Sequence, residues 1–228
     1  MEIRFRKATP SDVEEACPLI YSAAPEAFDY MFALRDYRAL NFLRFAFLHE
    51  DGLFGYDNHL IAEVDHEVAG IGAFYSGREY LSLGLGNTKQ VFKFYGFFDG
   101  SSVFKRCLQI QKVVPPPKKD AEYVADLGVK EKFRGQGIGT AILKRQQEIA
   151  RSKKHRFYIL DVAANNPRAQ KLYEALGFRV THERPFLPSG KPGPNSRDTI
   201  PNSDSFGCTV AINYVLCPLS LRFFPKEF

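Results

Sequence analysis

The chain has 228 residues, 45% of them hydrophobic, and a formal charge of +5. That length and apolar fraction suit one large domain, 1–228, with a sizeable core, and exclude global disorder. The mild positive excess fits an anionic ligand but falls far short of the dense basic arms of a nucleic-acid binder.

In chain order, the charged opening MEIRFRKATPSD has no apolar stretch behind it, so no secretory signal is expected. IRFRK (3–7) alternates as a half-buried strand does. Thr9-Pro10-Ser11-Asp12 supplies helix-start residues, and a helix follows over 13–24, with Pro18 placed to bend it. A second helical stretch is expected from about Pro25 to His49. Its segment LNFLRFAFL is apolar nearly all round, which calls for burial or for a homodimer contact. Residues 59–77 read as a β-hairpin turning at Asp65-His66. In 78–114 the pattern is less regular: VFKFYGFF sets Val91, Phe94, Tyr95 and Phe98 on one helical face, and SSVFKRCLQIQ suits a second short helix.

A strand is expected over AEYVADLGV (121–129), then the glycine stretch RGQGIG and an amphipathic helix to about Lys154. A strand over 156–164 follows. Asn166-Pro167 opens a helix that Gly177 closes, an N-cap followed by proline at one end and a helix-ending glycine at the other. FRVTHERPF is a strand, 186–204 a long Pro/Gly/Ser/Asn-rich loop of the kind that is usually functional or mobile, and FGCTVAINYVL a final strand. No run reaches the ~18 apolar residues of a membrane helix. VAINYVLCPLSL is too short and is interrupted by Asn213 and Pro218. The four cysteines are scattered without CxxC and the five histidines form no HExxH. The expectation is therefore reduced thiols, no metal site, a cytoplasmic location, and neither membrane nor nucleic acid as partner. The order of elements makes a mixed α/β (α+β) domain around one sheet.

Strand, short loop, glycines, helix is an arrangement that receives phosphate. The first turn of a helix leaves backbone N–H groups unpaired, its dipole favours an anion, and glycine removes the Cβ atoms that would stand in the way. Better-known loops do not fit. No Lys-Ser/Thr follows, so this is not a P-loop. A dinucleotide fingerprint needs a third glycine where Thr140 or Ile142 stands, and KEKFR separates the strand from the first glycine.

Arg134-x-x-Gly137-x-Gly139, preceded by DLGV (126–129), resembles the acetyl-CoA signature of the GNAT superfamily of N-acetyltransferases. A second block strengthens it: after an apolar strand, Asn166, Ala169, Leu172, Tyr173, Gly177 and Phe178 match N-x-x-A-x-x-L-Y-x-x-x-G-F. Together the two blocks cover roughly 121–178.

The resemblance implies a single domain with a mixed sheet of about seven strands, the fourth and fifth splayed, flanked by helices, with a helical insertion before the fourth strand. It implies acetyl-CoA as co-substrate and direct transfer of the acetyl group to a primary amine, with a small-molecule amine as first choice. A protein N-terminus or lysine, or a non-catalytic acyl-CoA-binding module, stands as the alternative. Leu127, Gly128 and Val129 would meet pantetheine and the acetyl carbonyl. The segment Arg134, Gly135, Gln136, Gly137, Ile138, Gly139 and Thr140 would hold the pyrophosphate, and Asn166 would contact the pantetheine arm or simply cap its helix. Tyr173 would be the general acid for the leaving thiolate. Asp126 is the candidate base, with Asp161, Glu122 or a water chain as alternatives; Ala125 stands where many relatives carry a further acid. Lys144, Arg145, Arg151, Lys153, Lys154 and Arg156 form either a solvated face or a site for the 3′-phosphate. Phe28, Tyr30, Phe32, Phe92, Phe94, Tyr95, Phe97 and Phe98 would make the acceptor side aromatic, with core packing as the alternative for most of them.

Overall fold

The computed structural model describes residues 1–186 and 209–216. The long Pro/Gly-rich stretch, apart from residue 186, and both C-terminal cysteines lie outside them.

Seven strands form one sheet: β1 (Arg4–Lys7), β2 (His59–Val64), β3 (Glu67–Ser76), β4 (Ala121–Val129), β5 (Phe157–Ala163), β6 (Arg179–Phe186) and β7 (Thr209–Leu216), in the order β1-β2-β3-β4-β5-β7-β6. The β2–β3 hairpin turns where the alternation breaks. Asp65 and His66 both have positive φ (49° and 64°), the backbone a tight right-twisting hairpin requires. β4 and β5 are parallel, whereas the other neighbours are antiparallel.

Helices α1 (Val13–Ala23), α2 (Pro25–Phe32), α3 (Ala39–Phe47) and α4 (Tyr80–Gln111) precede β4; α5 (Ile138–Ser152) and α6 (Pro167–Ala175) alternate with the later strands. The helical stretch expected over 25–49 is two helices, not one. Leu34 and Tyr37 exchange backbone hydrogen bonds across a turn in which Arg35 is left-handed (φ 54°). The apolar ring of α3 is taken up within the chain. Ala39, Phe42, Leu43, Ala46 and Phe47 are buried in a cluster shared with Ile20, Phe32, Ile61 and Tyr95, and the Phe32 and Phe42 rings lie 4.4 Å apart.

The insertion before β4 is helical. α4 is broken at Gly96, whose φ of 73° and ψ of −176° no helix contains. That break undoes the expected face: Val91 and Tyr95 are buried, but Phe98, beyond the break, is 86% exposed. Tyr95 donates to the Phe32 carbonyl at 2.6 Å and Arg106 to the Ala33 carbonyl at 2.7 Å, tying α4 to the end of α2. No helix among the described residues is long and apolar enough to cross a membrane.

Candidate active site

β4 and β5 pair only from Ala121 to Val124 and from Phe157 to Leu160. Beyond that the strands part, and a cleft of about 660 Å³ opens at the gap. Leu127, Gly128 and Val129 of β4 form one wall. Gly128 is required there for packing, because a Cβ would lie 2.3 Å from the Leu19 carbonyl oxygen of α1.

The floor is the glycine loop. Gly135 (φ 80°) and Gly137 (φ 84°) are left-handed, a backbone that side chains rarely adopt, and added Cβ atoms would meet no protein within 4 Å. The first turn of α5 follows. Its hydrogen-bond ladder begins with Ala141 N–H to the Gly137 carbonyl (2.9 Å), so the N–H groups of Ile138, Gly139 and Thr140 stand ahead of it and line the cleft. The cradle is narrower than the sequence suggested. The N–H groups of Arg134 and Gln136 donate to Glu131 and Phe133, and the Gln136 side chain turns to the Lys132 carbonyl, so Gln136 lies apart from the cleft. Arg134 lines it, its Nε donating to the Val129 carbonyl at 3.1 Å.

The opposite wall comes from α6. Asn166 caps that helix, its Oδ1 accepting from Ala169 N–H at 3.1 Å, and the residue also lines the cleft. Tyr173 is buried against Phe178 (ring centroids 5.9 Å apart) and reaches the cleft beside Leu172. Two cations missed in the sequence, Arg168 and Lys171, are on this wall. Their signal was position alone: each follows the cap Asn166 within two turns of α6. By contrast Lys144, Arg145, Arg151, Lys153, Lys154 and Arg156 are exposed and none lines the cleft. They form a solvated face.

None of the three candidate bases lines the cleft itself, and they differ in face and partner. Glu122 is fully buried on the α5 side, accepting from Gln146 at 2.7 Å, and is removed from the α1 face. Asp161 accepts from the Tyr123 hydroxyl at 2.8 Å. Asp126 sits in a β-bulge: Ile71 faces Gly128 and Ala73 faces Ala125, leaving an extra residue in β4, with Asp126 left-handed at φ 54°. The extra residue turns Asp126 toward β2 on the α1 face and lets Leu127 return to the face of α5. Burial pushes its carboxyl up to about 7.

Of the expected aromatic residues, Phe28, Phe32 and Tyr95 belong to the core, Phe92 and Phe94 are half-buried, and Phe97 and Phe98 are exposed. Tyr30 is half-buried and its hydroxyl meets Gln109 of α4.

The acetyltransferase (GNAT) family model matches residues 17–178. A bovine (Bos taurus) thialysine N-epsilon-acetyltransferase is 46% identical over 55 residues, 24% of this chain and 32% of that protein. The matching segment thus spans about a third of that relative's length. Among solved structures, an N-acetyltransferase from Staphylococcus aureus Mu50 superposes with a TM-score of 0.60 at 19% identity, over 93% of this chain and all of that one. A Bacillus subtilis acetyltransferase in complex with CoA gives a TM-score of 0.52 at 12% identity, over 96% and 99%.

Proposed function

From the membership of this chain in the GNAT acetyltransferase family, we infer that it moves the acetyl group of acetyl-CoA to the primary amine of a small molecule. The parting of β4 from β5 over a glycine cradle carries this reading. It offers unpaired N–H groups and left-handed glycines at the floor, strand backbone on one wall, and a tyrosine on the other. The cleft fits coenzyme A: the floor suits a pyrophosphate, with Arg134, Arg168 and Lys171 as the neighbouring cations. The bovine relative acts on the ε-nitrogen of thialysine, which supports a small amine as acceptor.

Bound acetyl-CoA supplies an activated acetyl group. Asp126 takes a proton from the acceptor ammonium, freeing the nitrogen lone pair to form the C–N bond. A carboxyl that titrates near neutral pH is suited to this, since an effective base has a pKa close to the working pH. Tyr173 gives its phenolic proton to the sulfur as the C–S bond breaks and is reprotonated from the second proton lost by the nitrogen. The net reaction releases one proton. The backbone of Gly128 and Val129 orients the acetyl carbonyl.

The test follows free thiol release from acetyl-CoA over a panel of small amines, with a peptide N-terminus and a lysine peptide included. Turnover on a small amine that is lost in Tyr173→Phe supports the reading. Tight acetyl-CoA binding without turnover on any acceptor would identify a non-catalytic module instead.

A further inference from the structure

We propose that His59 is the positioning residue for Asp126, accepting the hydrogen bond of its carboxyl once that carboxyl has taken a proton from the acceptor amine. The proposal rests on the reading of Asp126 as base. His59 opens β2 in phase with the inward-facing Ile61, and its side chain is wholly buried, its ring 5.5 Å from that of Phe47. Nδ1 lies 2.9 Å from the Gly55 carbonyl oxygen. A carbonyl only accepts, so Nδ1 carries the hydrogen and Nε2 presents a lone pair. Nε2 is buried and has no hydrogen-bond partner among the described residues, yet it lies 3.9 Å from Asp126 Oδ2. An approach of about 1 Å makes a direct O–H···N bond.

A buried, unsatisfied ring nitrogen is costly, and the group facing it is one whose protonated form is a donor. Burial also pulls the imidazole down to about 4, so near neutral pH His59 stays neutral and accepts a hydrogen bond rather than the proton. Other titratable groups share this face: Asp161 of β5, which accepts from the Tyr123 hydroxyl of β4 at 2.8 Å, and Tyr80 of α4 both act on Tyr75, as Asp126 does. From β3, Tyr75 lies within electrostatic reach, and burial keeps its phenol neutral. α1 presents Ala16, Leu19 and Ile20, and its buried Cys17 thiol is pushed up to about 12. The charged residue of α3, Arg44, pairs with Glu14 at 2.8 Å.

The step balances. One N–H bond of the ammonium breaks and one O–H bond forms on Asp126. Rotation about Cβ–Cγ then turns that O–H toward Nε2, and no electrons are exchanged. The lone pair repels the carboxylate and bonds the carboxyl, and both effects raise the proton affinity of Asp126 beyond what burial alone gives.

The experiment compares wild type, His59→Phe and Asp126→Asn by the pH profile of kcat/KM, with 13C NMR of the Asp126 carboxyl and 15N NMR of the His59 ring. In wild type the acid limb and the carboxyl titration should share a midpoint, and the Nε2 resonance should move with it. His59→Phe should carry both midpoints about one pH unit toward acid, with acetyl-CoA affinity unchanged. Unmoved midpoints in His59→Phe, or an Nε2 resonance flat across the carboxyl titration, overturn the proposal. Should His59→Phe fail to fold, the wild-type 15N titration decides alone. Full activity in Asp126→Asn defeats the base assignment instead, and the NMR coupling still reports on the pair.

Discussion

Gly137→Ala separates what the glycine loop does for the fold from what it does for the ligand. At φ 84° an added Cβ meets no protein within 4 Å, so no packing penalty arises. What remains is the left-handed backbone, about 1–2 kcal/mol for a non-glycine residue, or roughly 2–8 °C in Tm for a domain of this size. The ligand feels more. On the proposed reading, the Cβ stands where the pyrophosphate approaches the N–H groups at the start of α5. Losing one charge-assisted hydrogen bond there costs ~1.5–3 kcal/mol, roughly 10- to 100-fold in Kd. The assay is isothermal titration of acetyl-CoA and of acetyl-pantetheine, which lacks the pyrophosphate, alongside thermal unfolding. Acetyl-CoA should weaken and acetyl-pantetheine should not. Equal losses for the two would refute the placement of the pyrophosphate on this loop. Gly128→Ala is the contrast: its Cβ would lie 2.3 Å from the Leu19 carbonyl, in backbone that cannot yield cheaply, so its Tm should fall further than that of Gly137→Ala.

Tyr173→Phe keeps the ring against Phe178 and removes the proton, so kcat should fall about 100-fold or more with little change in Tm or in acetyl-CoA affinity, read by thiol release and titration. Asp126→Asn should change how stability depends on pH. A carboxyl raised from its ordinary value to about 7 binds protons more tightly in the folded state, so its burial costs nothing at pH 4 and a growing amount as pH rises through 7, on the order of 4 kcal/mol at the top. Urea unfolding should therefore show the variant gaining on wild type between pH 4 and pH 8; a constant difference would count against the buried carboxyl. Arg168→Ala with Lys171→Ala should weaken acetyl-CoA several-fold and flatten its salt dependence, whereas Lys144→Ala with Arg145→Ala should leave both unchanged, because only the first pair lines the cleft.

Much of this molecule is written locally. The turn at Asp65-His66, the cap at Asn166, the closing Gly177 and the bounds of β4 follow from short-range rules: a left-handed turn, an N-cap with proline after it, a glycine at positive φ, alternation of apolar residues. The glycine cradle was legible for the same reason, since orphan N–H groups at a helix start are a property of a single turn. The break between α2 and α3 was missed because Arg35 adopts a left-handed conformation that its residue type does not announce.

What the sequence by itself determined, then, is the cradle and the tyrosine one helix and one strand later, because each is set by residues near it in the chain. Tertiary structure decided the rest. Alternation alone would put Asp126 on the face of α5, with Val124. The bulge against β3 turns it to the other face, 67 positions along the chain from His59, the ring it meets there. The sorting of cations likewise needed the fold, because which lysines and arginines face the cleft depends on where β4 and β5 part, and that is fixed by packing between elements rather than by spacing within one.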